Sequence, residues 1–136
     1  SEVNVVSADT IGTISFKPYF GDFNNTAVSI TAEVEGTLGT NITPGRLVFG
    51  TAAAGANTTT DTMIIDSTQA VGIGSDPGVS TLLRLESTTR GFLPPVMTTL
   101  QKAAIATPAE GLMVYDETLS KLCVYTGAAW ETITSA

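Results

Sequence analysis

The sequence predicts a mainly β protein with one short helix, at about residues 99–106, and three observations carry that expectation. First, apolar and β-branched residues alternate with small polar ones in several short runs, as in strands whose two faces differ. Second, the run from Leu100 to Ala106 is made mostly of good helix formers and lies between a capping signal and Pro108. Third, charged residues are 14% of the chain, well below the roughly 25% of ordinary globular proteins, while hydrophobic residues are 43%. That hydrophobicity is too high for a solvated, disordered chain. The length of 136 residues suits one compact domain or two small modules in series.

In chain order, Glu2–Ser7 alternates weakly and Thr10–Phe16 more clearly, and both read as strands. The loop from Lys17 to Asn25 holds Tyr19, Phe20 and Phe23 among turn formers. These rings either fill the core beneath the loop or face a ligand, where they would stack on sugar rings beside Asp22 and Asn24. Ala27–Glu35 is the cleanest strand: Val28, Ile30, Ala32 and Val34 line one face, and Ser29, Thr31, Glu33 and Glu35 the other. Glu33 and Glu35 have the residue type of a catalytic carboxylate pair, but a solvated face accounts for them better.

Arg46–Thr51 and Thr62–Asp66 are the next strands, separated by a small, polar loop. Ser67–Gln69 then turns the chain into Ala70-Val71-Gly72-Ile73-Gly74. No Lys-Ser or Lys-Thr comes after these glycines, so a phosphate loop is excluded. Glycines at period two instead strip one face of side chains and let backbones approach, as they would near a threefold axis. Asp76-Pro77-Gly78 turns the chain, and Thr81–Glu86 is a strand or brief helix.

The stretch from Arg90 to Lys102 organises the C-terminal third of the chain. Gly91, Phe92 and Leu93 precede Pro94 and Pro95, and each proline pushes the residue before it into extended geometry. The result is a stiff apolar strap. Thr98 and Gln101 form a capping-box pattern, Gly111–Tyr115 and Leu122–Tyr125 pair as a hairpin across a polar turn at Asp116–Lys121, and Trp130–Ile133 starts a third strand. Met97 and Leu112 add to its apolar content. The hairpin strands, with Val114 and Val124, are apolar on both faces and need cover on both sides. About 45 residues cannot supply two layers alone, which points to neighbours from other chains.

The order Arg-Gly-Phe-Leu-Pro-Pro-x-Met-Thr-Thr-x-Gln, then Ala-Glu-Gly-Leu-Met-Val-Tyr, then Lys-Leu-x-Val-Tyr-x-Gly-x-x-Trp resembles a module found near the ends of bacteriophage tail-fibre and tail-fibre-like trimeric adhesin proteins. Val96 stands where that family often has arginine. The resemblance spans Val71 to Ile133 and implies an intertwined homotrimeric β fibre or tip, on a virion or outside the cell. The chain is expected to comprise a β-rich tip or shaft domain at 1–70, Gly/Ser-containing connector strands at 71–90 and the strap, helix and hairpin module at 91–136. Phe92, Leu93, Pro94, Pro95, Met97, Leu112, Val114 and Val124 are then expected at the trimer interface or core.

Enzymatic chemistry is not expected. The chain has no His and one Cys, which removes the commonest general base and any cysteine-built zinc site. No cofactor is implied. A net charge of −7 with six scattered Lys and Arg residues argues against nucleic acid, and no apolar run reaches the ~20 residues that span a bilayer as helix. Cys123 reads as a small buried hydrophobe. The opening Ser1-Glu2-Val3 carries no signal peptide and suggests an excised fragment. Two functions remain: an adhesin tip that binds a cell-surface glycan or protein through its loops, and a structural trimerisation connector. The ending soon after Trp130 favours the tip, with Tyr19, Phe20, Asp22, Phe23 and Asn24 as candidate ligand contacts and Trp130 as a further one that fits the core better.

Overall fold

The structure is a computed structural model that describes residues 9–18 and 25–134. It divides into two compact units, Ser1–Thr89 and Arg90–Ala136. The expected strand at Glu2–Ser7 and the loop residues Tyr19 to Asn24 lie outside the described residues.

In the first unit, β1 (Thr10–Phe16), β2 (Val28–Val34), β3 (Gly45–Thr51), β4 (Thr60–Ile65), β5 (Val71–Ile73) and β6 (Leu83–Leu85) form one sheet in sequential order. Neighbours are antiparallel except β5 and β6, which run parallel. Within Thr81–Glu86, Leu83–Leu85 is strand and no part is helix, and the stretch 71–90 contributes two strands to this sheet. Between β4 and β5, the Asp66 carboxylate accepts from the amides of Thr68 and Ala70, each at 2.9 Å, and from the Thr68 hydroxyl at 2.7 Å. These bonds, that of the hydroxyl above all, hold its pKa below the ordinary carboxylate value.

Gly72 and Gly74 do admit a close backbone, but the backbone is this chain's own. A Cβ on Gly72 would lie 2.1 Å from the Ser75 carbonyl oxygen, and one on Gly74, at φ +87°, 2.2 Å from that of Glu86. The threefold-axis reading of these glycines is corrected accordingly: the turn after β5 folds back over Gly72, and the end of β6 crosses Gly74. Val48, Ile64, Ala70 and Pro77 are buried in this unit.

In the second unit, β7 (Val96–Met97), β8 (Met113–Asp116), β9 (Lys121–Tyr125) and β10 (Trp130–Thr132) form a sheet in the order β10-β9-β8-β7. β7 pairs with β8 in parallel, and the other pairs are antiparallel. The double-proline strap thus leads straight into a sheet edge, where missing amide donors are tolerated. The helix α1 (Thr99–Ala103) opens on the expected capping box: the Thr98 hydroxyl accepts from the Gln101 amide at 3.3 Å, and the Gln101 side chain accepts from the Thr98 amide at 2.9 Å. It stops at Ala103 rather than near Ala106. The Ala104 amide is shared between the carbonyls of Leu100 and Gln101, both at 3.1 Å, which tightens the last turn. Thr107, next to Pro108, then turns to φ 49°.

Candidate functional site

The second unit is fixed from within by a polar cluster between α1 and the sheet. Lys102 projects from the helix to Asp116 at the end of β8, with Nζ 2.7 Å from Oδ2. Both side chains are buried. The Thr99 hydroxyl donates to the same carboxylate at 3.0 and 2.8 Å, and the Leu119 amide donates to it at 3.1 Å. Lys102 Nζ also donates to Cys123 Sγ at 3.3 Å and sits 5.7 Å from the centre of the Trp130 ring. Tyr125 packs on Trp130 with ring centroids 5.4 Å apart. Burial alone would raise the Asp116 pKa, but the bonds from Lys102, Thr99 and Leu119 outweigh it and hold the value at about 2. The Lys102 pKa is raised, chiefly by its bond to Asp116 and against the effect of burial. An ammonium held charged is a poor nucleophile, and a carboxylate held ionised is a poor acid. The cluster acts as a clamp between helix and sheet.

Sequence reading missed this clamp, because Asp116 stands where a polar turn begins. The available signal was a lysine on a two-turn helix that has to be held by packing.

The register shows what the clamp leaves outside. Met97, Val114, Asp116, Cys123, Tyr125 and Trp130 share the face that α1 covers. Val96, Met113, Tyr115, Leu122 and Val124 share the opposite face, where Val96 and Met113 are each 46% exposed. The expectation that these strands are apolar on both faces matches this arrangement, with one face covered inside the protomer. In the strap, Phe92 is 64% and Leu93 72% exposed, Pro94 is half-buried and Pro95 exposed. Met97, Leu112 and Val124 are half-buried, and Val114 is fully buried within the protomer. Trp130 is half-buried over the clamp.

The first unit carries a second apolar surface, which strand-by-strand reading had not assembled. Register places Ile14, Ile30, Phe49, Met63, Ile73 and Leu85 in one row across all six strands. Beside it runs a row of Gly12, Ala32, Leu47, Ile65, Val71 and Leu83. Six strands at roughly 4.8 Å spacing and two rows roughly 7 Å apart cover about 400 Å². At about 25 cal/mol per Å², removing that area from water is worth roughly 10 kcal/mol per protomer before entropic costs. The other face is different: Glu33 of β2 pairs with Arg46 of β3 at 2.7 Å, so the supposed carboxylate pair is one partner of a cross-strand ion pair and one acceptor for the Ser67 amide.

Among the described residues, no three or more His, Cys, Asp or Glu side chains gather as a metal site, and no helix is long and apolar enough to cross a membrane. No curated protein matches the chain. Residues 70–136 match the family model of the phage tail like trimerisation region. That match takes in β5 and β6 together with the whole second unit, with its open strap and sheet face. Over these residues, just under half of the chain, the protein is similar to a phage tail-fibre-like trimerisation segment.

Proposed function

We propose that the chain works without catalysis, as a homotrimeric tail-fibre segment on a virion or cell exterior that attaches to a cell-surface glycan or protein receptor. The observation that carries the reading is the apolar strap of the trimerisation segment, with Phe92 and Leu93 each more than half exposed on a single protomer. Large apolar side chains in that state call for a partner, and a trimerisation segment supplies two further copies. Receptor contact is expected in loops, because the strands are taken up by pairing and packing. Tyr19, Phe20, Asp22, Phe23 and Asn24 combine rings for stacking with groups that bind hydroxyls, and three copies per trimer add avidity.

The second reading is a structural connector that trimerises the fibre and leaves recognition to other domains. The apolar character of the exposed surface favours it. The two are separated by a Tyr19→Ala/Asp22→Ala variant that sediments at three times the 14.0 kDa protomer mass. Lost binding on a glycan array or on target cells supports the receptor reading. An array that is blank for the parent trimer as well, with no cell binding, leaves the connector.

A further inference from the structure

Residues 70–136 do not form a separate fold. Their first two strands, β5 and β6, complete the six-stranded sheet that begins at Thr10. The apolar row through Ile14, Ile30, Phe49, Met63, Ile73 and Leu85 therefore runs without interruption from the trimerisation segment into residues outside it. Ile14 is 60% exposed at one edge and Leu83 58% at the other, while Ile30, Phe49 and Met63 between them are half-buried and Val34, at the end of the same face of β2, is buried. The chain's own covering turn lies on the opposite face. There Val48 and Ile64 are buried, and the turn at Ser75–Pro77 sits against Gly72.

We infer that this sheet face is a second trimer interface, at which the six-stranded sheets of three copies pack against one another about the threefold axis. The inference rests on the homotrimer reading above and adds the interface made by residues 10–65. Two arguments select copies of this chain as the occupant. One is continuity, since Val71, Ile73, Leu83 and Leu85 belong both to the face and to the trimerisation segment. The other is area. About 400 Å² of flat face, larger once side-chain relief is counted, is at the size of the largest apolar patches on monomers and suits burial against two neighbours. A cyclic trimer buries the same face three times and leaves no copy of it open.

The test uses the full chain with single cysteines at adjacent positions of β1, Thr13→Cys on the polar face and Ile14→Cys on the apolar face. Cys123 is fully buried, and the parent protein labelled in parallel supplies its background. Both variants are sedimented and then labelled. The expected result is a trimer in which the cysteine at 13 reacts freely and that at 14 reacts at least about tenfold more slowly. Equal labelling in a trimer overturns the inference and leaves the homotrimer reading standing. A monomer overturns both. If Ile14→Cys does not fold, Val28→Cys, on the same face of the neighbouring strand, replaces it with the same outcomes.

Discussion

Substituting Lys102 by Met removes the cation that faces Asp116 while keeping the length and apolar stem of the side chain. The side chains of the pair are 7% and 0% exposed, which separates it from surface salt bridges worth about 0–1 kcal/mol. Breaking a buried pair from one side typically costs about 3–5 kcal/mol, because the remaining charge has no counter-ion. In a small domain each kcal/mol moves the melting temperature by roughly 4–8 °C, so Lys102→Met should lower it by more than about 12 °C. Trp130, the chain's one tryptophan, packs beside the pair and reports unfolding by fluorescence. Protomer concentration must be held fixed, since trimer assembly shifts the midpoint by mass action. The double variant Lys102→Met/Asp116→Leu should regain most of the loss, because an apolar replacement for both partners leaves no charge stranded. A fall of less than about 3 °C for the single variant, or a double variant as damaged as the single, would refute the clamp.

The same pair sets a pH window. The Asp116 pKa is depressed to about 2, so its contribution is complete above the ordinary carboxylate value of about 3.9 and is lost as pH falls toward 2. The Lys102 pKa is raised, so its contribution holds below about 10.4 and is lost as pH climbs through the raised value; melting scans from pH 2 to 11 should show that plateau. Phe92→Ala should leave the protomer fold intact yet shift sedimentation toward monomer by about 2 kcal/mol or more per site, since this ring is 64% exposed on the protomer and the proposed trimer would cover it. Gly74→Ala forces φ +87° on an L-residue and drives a Cβ to 2.2 Å from the Glu86 carbonyl, so it should cost at least about 1–2 kcal/mol in a denaturant melt, against little for Gly91→Ala, where a Cβ has open space.

Elements whose signals are local were legible in the sequence. β1 matches the expected Thr10–Phe16, and the Thr98–Gln101 box forms because both residues act within one turn. The helix end was read too far because propensity favours Ile105 and Ala106, whereas the shared amide of Ala104 already closes the last turn. Asp116 was misread because its partner is 14 positions away on another element, and a carboxylate after an apolar strand looks like the start of a turn. The apolar rows were half legible. Val28, Ile30, Ala32 and Val34 share one face in the sequence pattern, but which residues of β3 to β6 join them depends on register, and a bulge between β3 and β4 shifts it. Gly72 and Gly74 announced a close approach without saying to what, because a glycine marks the space and not its occupant.

Where the few charges fall argues for the same division of surfaces. Arg46 lies 2.7 Å from Glu33 and 3.7 Å from Asp76, and Arg84 pairs with Glu86. Glu33 and Arg46 are cross-strand partners, and Arg84 is opposite Gly72, so all three belong to the face that carries Val48 and Ile64. Neither apolar row contains a charged residue. One lysine among Ile30, Phe49 and Met63 would have kept the face in water at the cost of a desolvated charge on assembly, and interface centres are depleted in charge for that reason. The polar face is different. The acidic groups on that face are largely paired with Arg46 and Arg84, and the net charge of −7 belongs to the protomer as a whole. An apolar sheet face left open is an aggregation hazard, and closing it on two copies in a cyclic trimer, as inferred above, would remove that hazard.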